Sequence, residues 1–224
     1  MAASDLYLDL GPLDLGIDPG FGAAVRLLAV AVDLTGPVAP LDEALAAAAE
    51  HVRATPVAQV PAIQATRVAY KRLGKDPSRY RPAAEALWRR IAKGEALPRP
   101  APLVDLNTWL SLTTGMAVGV YDRDRLTPPL RLREGAPGET YPAIGGQGAF
   151  NLEHLPLLVD EAGPFGSPTR DGERARVTAA TTRALFVLFD FGGTGELAPP
   201  LVHDWVAPYL PAAGIATWQV THAR

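Results

Sequence analysis

The sequence predicts an α+β fold, a mixed β-sheet packed with helices in one compact domain over residues 1–224. Two observations lead there. Helix signals, each with a proline near its start or a glycine at its stop, fill residues 41–115, and apolar β-like runs dominate 117–222, so helices precede most strands. Composition agrees: 48% apolar and 20% charged residues suffice for a sizeable core, and neither a repeat nor a composition break marks a boundary.

Taken in order, Leu6, Leu8 and Leu10 alternate as an edge strand would, and the glycines and proline between Asp14 and Gly22 predict a loop. Ala24–Asp33 is short, apolar and bounded by Gly36-Pro37, a buried strand. Leu41–Arg53 carries Asp42 and Glu43 in its first turn and an apolar face at Leu45, Ala48, Ala49 and Val52, hence a helix with His51 on its surface. A second helix runs from Pro61 to Leu73, stopped by Gly74, and presents Arg67, Lys71 and Arg72. After a loop at 75–81, Pro82 opens a third helix at its first position, with a core stripe of Ala84, Leu87, Trp88 and Ile91 and a stop at Gly94. A Pro-rich link leads to a fourth helix, Val104–Thr114, ended by Gly115 and offering Asn107 and Thr113 for polar contacts. Strands follow at Ala117–Asp122, Leu130–Arg133 and Leu155–Asp160. Pro164–Gly172 reads as a loop and Ala175–Thr178 as a strand end. A long apolar strand, Ala184–Phe191, precedes a short helix over Leu201–Leu210, bent at Pro208, and a last strand, Ile215–His222.

Charge is unevenly spread. Between Arg67 and Arg99 ten Lys and Arg face only Asp76, Glu85 and Glu95, a net of +7 in a chain of net −3. Such a basic field suits an anionic partner, phosphates above all, although an exposed helical hairpin would carry cations for solubility as well. Arg89, Arg90 and Lys93 crowd a helix end, where cations complement the dipole in any protein. Arg79 and Arg81 precede that helix and have no such explanation.

Several function classes drop out. No cysteine is present, so disulfides, thiolate metal sites and a Cys nucleophile are excluded, which suits a cytoplasmic address. Met1–Asp5 lacks basic residues and no apolar stretch follows, so no signal peptide is expected. Val25–Leu34 is too short and carries Arg26 and Asp33, so no membrane span is expected either. The runs at Gly145-Gly146-Gln147-Gly148 and Gly192-Gly193-Thr194-Gly195 continue into neither a phosphate loop nor a dinucleotide fingerprint. His51, His154, His203 and His222 lack the spacing of a metal helix, so neither metal nor cofactor is expected. Asp160-Glu161 reads as a loop cap and His203-Asp204 as a surface pair. No G-x-S-x-G elbow exists.

Ordered motifs across residues 54–191 carry a resemblance. They are Arg72-x-Gly74 with Asp76-Pro77, then Tyr80-Arg81-Pro82, then Glu85-Ala86-Leu87 with Arg89-Arg90 and Lys93-Gly94. Leu103-Val104-Asp105 with Asn107 and Ser111, Tyr121-Asp122 with Asp124, and the Gly145-Gly146 turn come next. Leu158-Val159-Asp160, Asp171 with Arg174, Val177-Thr178 and Thr181-Thr182 complete the series. This order resembles a free-standing form of the B3/B4-type tRNA-binding and editing domain of the phenylalanyl-tRNA synthetase beta subunit. The resemblance implies an α+β fold with a pocket between sheet and helices. It also implies tRNA as partner, with no DNA expected, and hydrolysis of a mischarged aminoacyl ester as activity.

The resemblance implies pocket lining by Asn107, Thr113, Gly146, Asp171, Arg174, Thr178 and Thr181, and RNA contact by Arg72, Lys75, Arg79, Arg81, Arg89 and Arg90. Structural roles compete for the same residues: Asp171 with Arg174 as a loop-fixing ion pair, Thr178 and Thr181 as turn caps. The chain departs from the synthetase pattern at two points. Gly119 stands where a histidine precedes the aromatic-Asp pair, and the strand at 184–189 lacks the glutamate that follows the paired threonines. Editing in this fold rests on positioning a water beside the ester, so catalytic residues are not assigned by the resemblance. Two other readings stay open: a non-catalytic module for an amino acid-like molecule or a protein partner, and a structural remnant.

Overall fold

The computed structural model describes residues 13–146, 148–192 and 197–223. The expected strand at Leu6–Leu10 and the run Gly193-Thr194-Gly195 lie outside them. The elements are β1 (Leu15–Ile17), β2 (Val25–Leu34), α1 (Asp42–Ala54), α2 (Pro61–Arg72), α3 (Ala83–Ala92), α4 (Pro102–Thr114) and β3 (Ala117–Asp122). They continue with β4 (Leu130–Glu134), β5 (Thr140–Pro142), β6 (Ala149–Asn151), β7 (Pro156–Asp160), β8 (Gly163–Gly166), β9 (Arg183–Asp190), α5 (Pro199–Val206) and β10 (Ala212–His222). The class is α+β.

The strands divide between two packed sheets and a short hairpin. One sheet is antiparallel, ordered β10-β2-β9-β3; the other, β1-β4-β7-β8, is mixed because β1 runs parallel to β4; β5 pairs with β6. β2 and β9 are apolar on both faces because each face meets a different layer. Leu28, Val30 and Val32 with Ala184, Phe186 and Leu188 pack under α1, α3, α4 and α5. Leu27, Ala29 and Ala31 with Leu185, Val187 and Phe189 pack on Leu130, Leu132, Leu158 and Phe165 of the second sheet. α2 bridges the layers, with Ala62 and Ile63 in the first cluster and Ala69 and Leu73 in the second.

The helices follow their sequence signals closely. α4 ends where Gly115 turns left-handed at φ 72°; a Cβ there would also lie 2.6 Å from Val60 Cγ1, so no other residue fits without displacement. Pro82 sits one place earlier than expected, as the extended N-cap of α3. α5 stops at Val206 and a 3-10 turn, Ala207–Tyr209, follows, since Pro208 has no N–H to continue the ladder.

Strand expectations fare unevenly. The Asp14–Gly22 and Pro164–Gly172 loops each contain a short strand, β1 and β8, and β5 and β6 had no sequence signal. Segments of three or four residues are too short for a period-two pattern to show. Ala175–Thr178 is not a strand end: a 3-10 turn over Glu173–Ala175 leads into a single bridge between Arg176 and Tyr121.

Candidate functional site

A cleft of about 1060 Å³ lies where the end of β2, the first turn of α4 and the approach to β9 meet. Residues 34–38, 100–104, 107, 120, 144, 170–171, 176–179 and 181–182 line it. The walls are largely apolar, from Leu34, Pro37, Val38, Leu103, Val104, Val120, Ile144 and Val177. Polar groups are few: Asn107, Arg170, Asp171, Arg176 and the threonines 35, 178, 181 and 182. An apolar concavity with a few convergent polar groups is the usual form of a small-ligand site.

Asp171 is the most constrained of these. It closes a turn in which Ser167 Oγ donates to the Arg170 carbonyl at 2.9 Å and accepts from the Arg170 N–H at 3.1 Å. The Tyr141 hydroxyl also donates to the Arg170 carbonyl, and the Ile144 N–H donates to the Asp171 carbonyl at 2.9 Å. Asp171 Oδ1 accepts from the Tyr121 hydroxyl at 2.7 Å and from the Ser167 N–H at 3.2 Å. Burial pushes this carboxyl up to about 7, with those two donors pulling the other way. Burial and the neighbouring Asp171 charge also raise the Tyr121 phenol well above its ordinary value.

Tyr121 reaches Asp171 because two glycines make room. A Cβ built at Gly119 or at Gly166 would land on the Tyr121 hydroxyl. The position where the synthetase pattern has a histidine is therefore filled by a neighbour's ring. In the sequence Tyr121 is legible only as part of the Tyr121-Asp122 motif, and Arg176 carries no signal of its own. A signal for Arg170 was present in its place beside Asp171; Tyr121 needed the packing.

The other expected lining residues separate. Asn107, Asp171, Thr178 and Thr181 meet in the cleft. Asn107 Oδ1 is buried there with no hydrogen-bond donor among the described residues. Thr178 and Thr181 also shape their turn: Thr181 Oγ1 accepts from the Thr178 N–H at 2.9 Å and donates to Asp122 at 2.8 Å. Thr113 is exposed near the far end of α4, away from the cleft, because it lies six residues beyond Asn107, on another side of the helix. Gly146 is exposed on the turn after Ile144, facing Arg170. Arg174 does not pair with Asp171. It grips Asp160 at 2.8 and 3.0 Å and the Gly163 carbonyl at 2.9 Å, tying β7 to the turn before β9.

The basic stretch is also partly internal. Glu85, 1% exposed, is surrounded by Arg67 at 2.9 Å, Arg89 at 2.8 Å and Arg81 at 3.8 Å, so Arg81 and Arg89 neutralise a buried carboxylate. Lys75 is buried. Its ammonium donates to Asn151 Oδ1 at 2.8 Å and to the Glu153 carbonyl, and sits 3.8 Å over the Tyr80 ring, so it fastens the loop to β6 rather than facing solvent. Arg90 donates to the Ala96 carbonyl at 2.6 Å and lies 3.8 Å from Glu95. Arg72 and Arg79 are exposed. The stretch borders the cleft loop: the Ala83 N–H donates to the Pro168 carbonyl at 2.7 Å, and Thr169 Oγ1 donates to the Tyr80 carbonyl at 3.4 Å.

Among the described residues, no cluster of His, Asp or Glu could hold a metal ion, and no helix is long and apolar enough to cross a membrane.

A family model described as the B3/4 domain matches residues 65–193, more than half of the chain. No curated protein matches. Among solved structures, one similar chain is an N-terminal fragment of the phenylalanyl-tRNA synthetase beta subunit from Pyrococcus horikoshii. It is 21% identical with a TM-score of 0.37, over 41% of this chain and 34% of that one, so the match spans about a third of that fragment.

Proposed function

The chain belongs to the B3/4 domain family, and we propose from that premise that its cleft receives the aminoacylated 3′ end of a tRNA. The observation that carries the reading is the cleft's composition. Its apolar walls suit an amino acid side chain, while Arg170 and Arg176 supply positive charge for terminal phosphates. The loop carrying Arg170 borders the segment of Arg79, which offers a path for the RNA backbone beyond the terminal nucleotide. The reaction of this site is hydrolysis of a mischarged ester by a water held beside it, a role for position rather than for a strong base.

Deacylation of a panel of mischarged tRNAs by the purified protein tests the reaction. Release of one class of amino acid is expected. Binding is tested separately by titrating uncharged and mischarged tRNA at several salt concentrations. Replacing Arg79, Arg170 and Arg176 together by Glu is expected to weaken binding roughly tenfold or more and to flatten its salt dependence. Unchanged affinity would sink the assignment of that surface to RNA.

A second reading, a module that binds an amino acid-like molecule without turnover, is favoured by one feature. The Tyr121 ring occupies the space a side chain at Gly119 would need, and β9 brings no acid into the cleft. Binding of aminoacylated ends with no deacylation across the panel would select it.

A further inference from the structure

Among the described residues, two acceptor oxygens in the cleft have no protein donor. Asp171 uses Oδ1 for the Tyr121 hydroxyl and the Ser167 N–H, and no protein group donates to its Oδ2. Asn107 Oδ1 is buried with no partner at all. Both residues line the same cleft, whose other walls are mainly apolar. The nearby arginines do not fill the deficit. Arg174 is committed to Asp160, Arg176 lies 3.2 Å from Glu173, and Arg170 lies 5.5 Å over the Phe150 ring. A buried acceptor such as Asn107 Oδ1 left without a donor is costly, so a ligand that supplies donors to it and to the free carboxylate oxygen beside the same cleft is favoured there.

We propose that Asp171 and Asn107 form a subsite for a primary ammonium group, so that the cleft selects aminoacyl ligands with a free α-amino group over N-acylated ones. An ammonium group has three donors and no acceptor, the complement of two unsatisfied oxygens. A hydroxyl would bring one donor and leave the carboxylate charge unopposed. An acylated nitrogen has lost its charge and has one donor. The Tyr121 hydroxyl and the Ser167 N–H hold the carboxylate itself, while Tyr141 and Ile144 bond the backbone carbonyls of Arg170 and Asp171 in its turn, so the acceptor is in place before the ligand arrives. The inference rests on the reading that the cleft takes an aminoacyl ligand, and it adds which group of that ligand Asp171 and Asn107 hold.

The test is calorimetric titration with two pairs of probes. One pair is a set of 3′-aminoacylamino-3′-deoxyadenosines, whose amide link does not hydrolyse, and their N-acetyl counterparts. The other is the matching amino acid amides and N-acetyl amino acid amides. The free-amine member is expected to bind roughly tenfold or more tightly in each pair. Asp171→Asn is expected to abolish that preference, and Asn107→Leu to reduce it. Thermal unfolding of both variants establishes that they are folded, and either alone suffices to read the effect.

Affinity for the amine is also expected to fall below about pH 7, as Asp171 takes up its own proton. Arg170 and Arg176 share its cleft, and the phenols around it, Tyr70, Tyr121 and Tyr141, are all raised by burial and so keep their protons in that range. Equal binding of free and acetylated nucleosides overturns the ammonium subsite and leaves the tRNA-end reading standing. A free-amine preference with amides alone, the nucleosides not binding, supports the subsite and overturns the tRNA-end reading. No binding of any probe overturns both.

Discussion

Asp171 is pulled in two directions. Burial raises its carboxyl to about 7, while the Tyr121 hydroxyl and the Ser167 N–H favour the charged form. In the unfolded chain an aspartate titrates near 3.8. Between those values the folded protein holds a proton that the unfolded chain has lost. Stability from this group is thus fully present below the lower value and lost as pH rises through about 7. Thermal unfolding of Asp171→Asn, compared with the unaltered chain from pH 4 to 8, is expected to show a relative gain that grows with pH and levels off above neutrality. A constant difference across that range would contradict it. Gly119 carries a second prediction at this scale. Its Cβ would occupy the site of the Tyr121 hydroxyl, so Gly119→Ala must displace a buried ring and its bond to Asp171. A loss of about 1–3 kcal/mol in denaturant unfolding is expected. The same change at Gly94, where nothing lies within 4 Å of a built Cβ but φ is +75°, is expected to cost less, about 1 kcal/mol from backbone strain alone.

The α2–α3 hairpin shows what an element does with charge. Its cations look like a surface field in the sequence, yet Glu85 gathers Arg67, Arg81 and Arg89 around a buried carboxylate, and Lys75 is spent on β6 and a carbonyl. Arg67→Ala is expected to cost about 1–3 kcal/mol in denaturant unfolding, below the penalty of a fully orphaned charge because Arg89 remains. Lys75→Met is expected to lower the unfolding temperature by several degrees while leaving RNA affinity unchanged, since that ammonium does not face solvent. A drop in RNA affinity with no drop in stability would reverse its assignment.

At the scale of the whole molecule, the antiparallel sheet is sandwiched between helices and a second sheet, and the cleft opens at the edge of that sandwich, where loops from three elements converge. The sequence by itself determined the α+β class, the existence and order of helices α1–α5 and the apolar strands β2 and β9. Those rest on local causes: proline and glycine at helix ends, a 3.6-residue apolar period, and uninterrupted apolar runs. It also singled out Asn107, Asp171, Thr178 and Thr181, which the fold brings to one cleft. Only the tertiary structure decided that Arg174 belongs to Asp160, that Lys75 is interior, and that Tyr121 holds Asp171. Each is a pairing between residues from about 14 to 76 positions apart. Chain pattern fixes which face of an element a residue takes, but the partner across the gap is set by how the layers pack, and charge and burial are properties of that pairing.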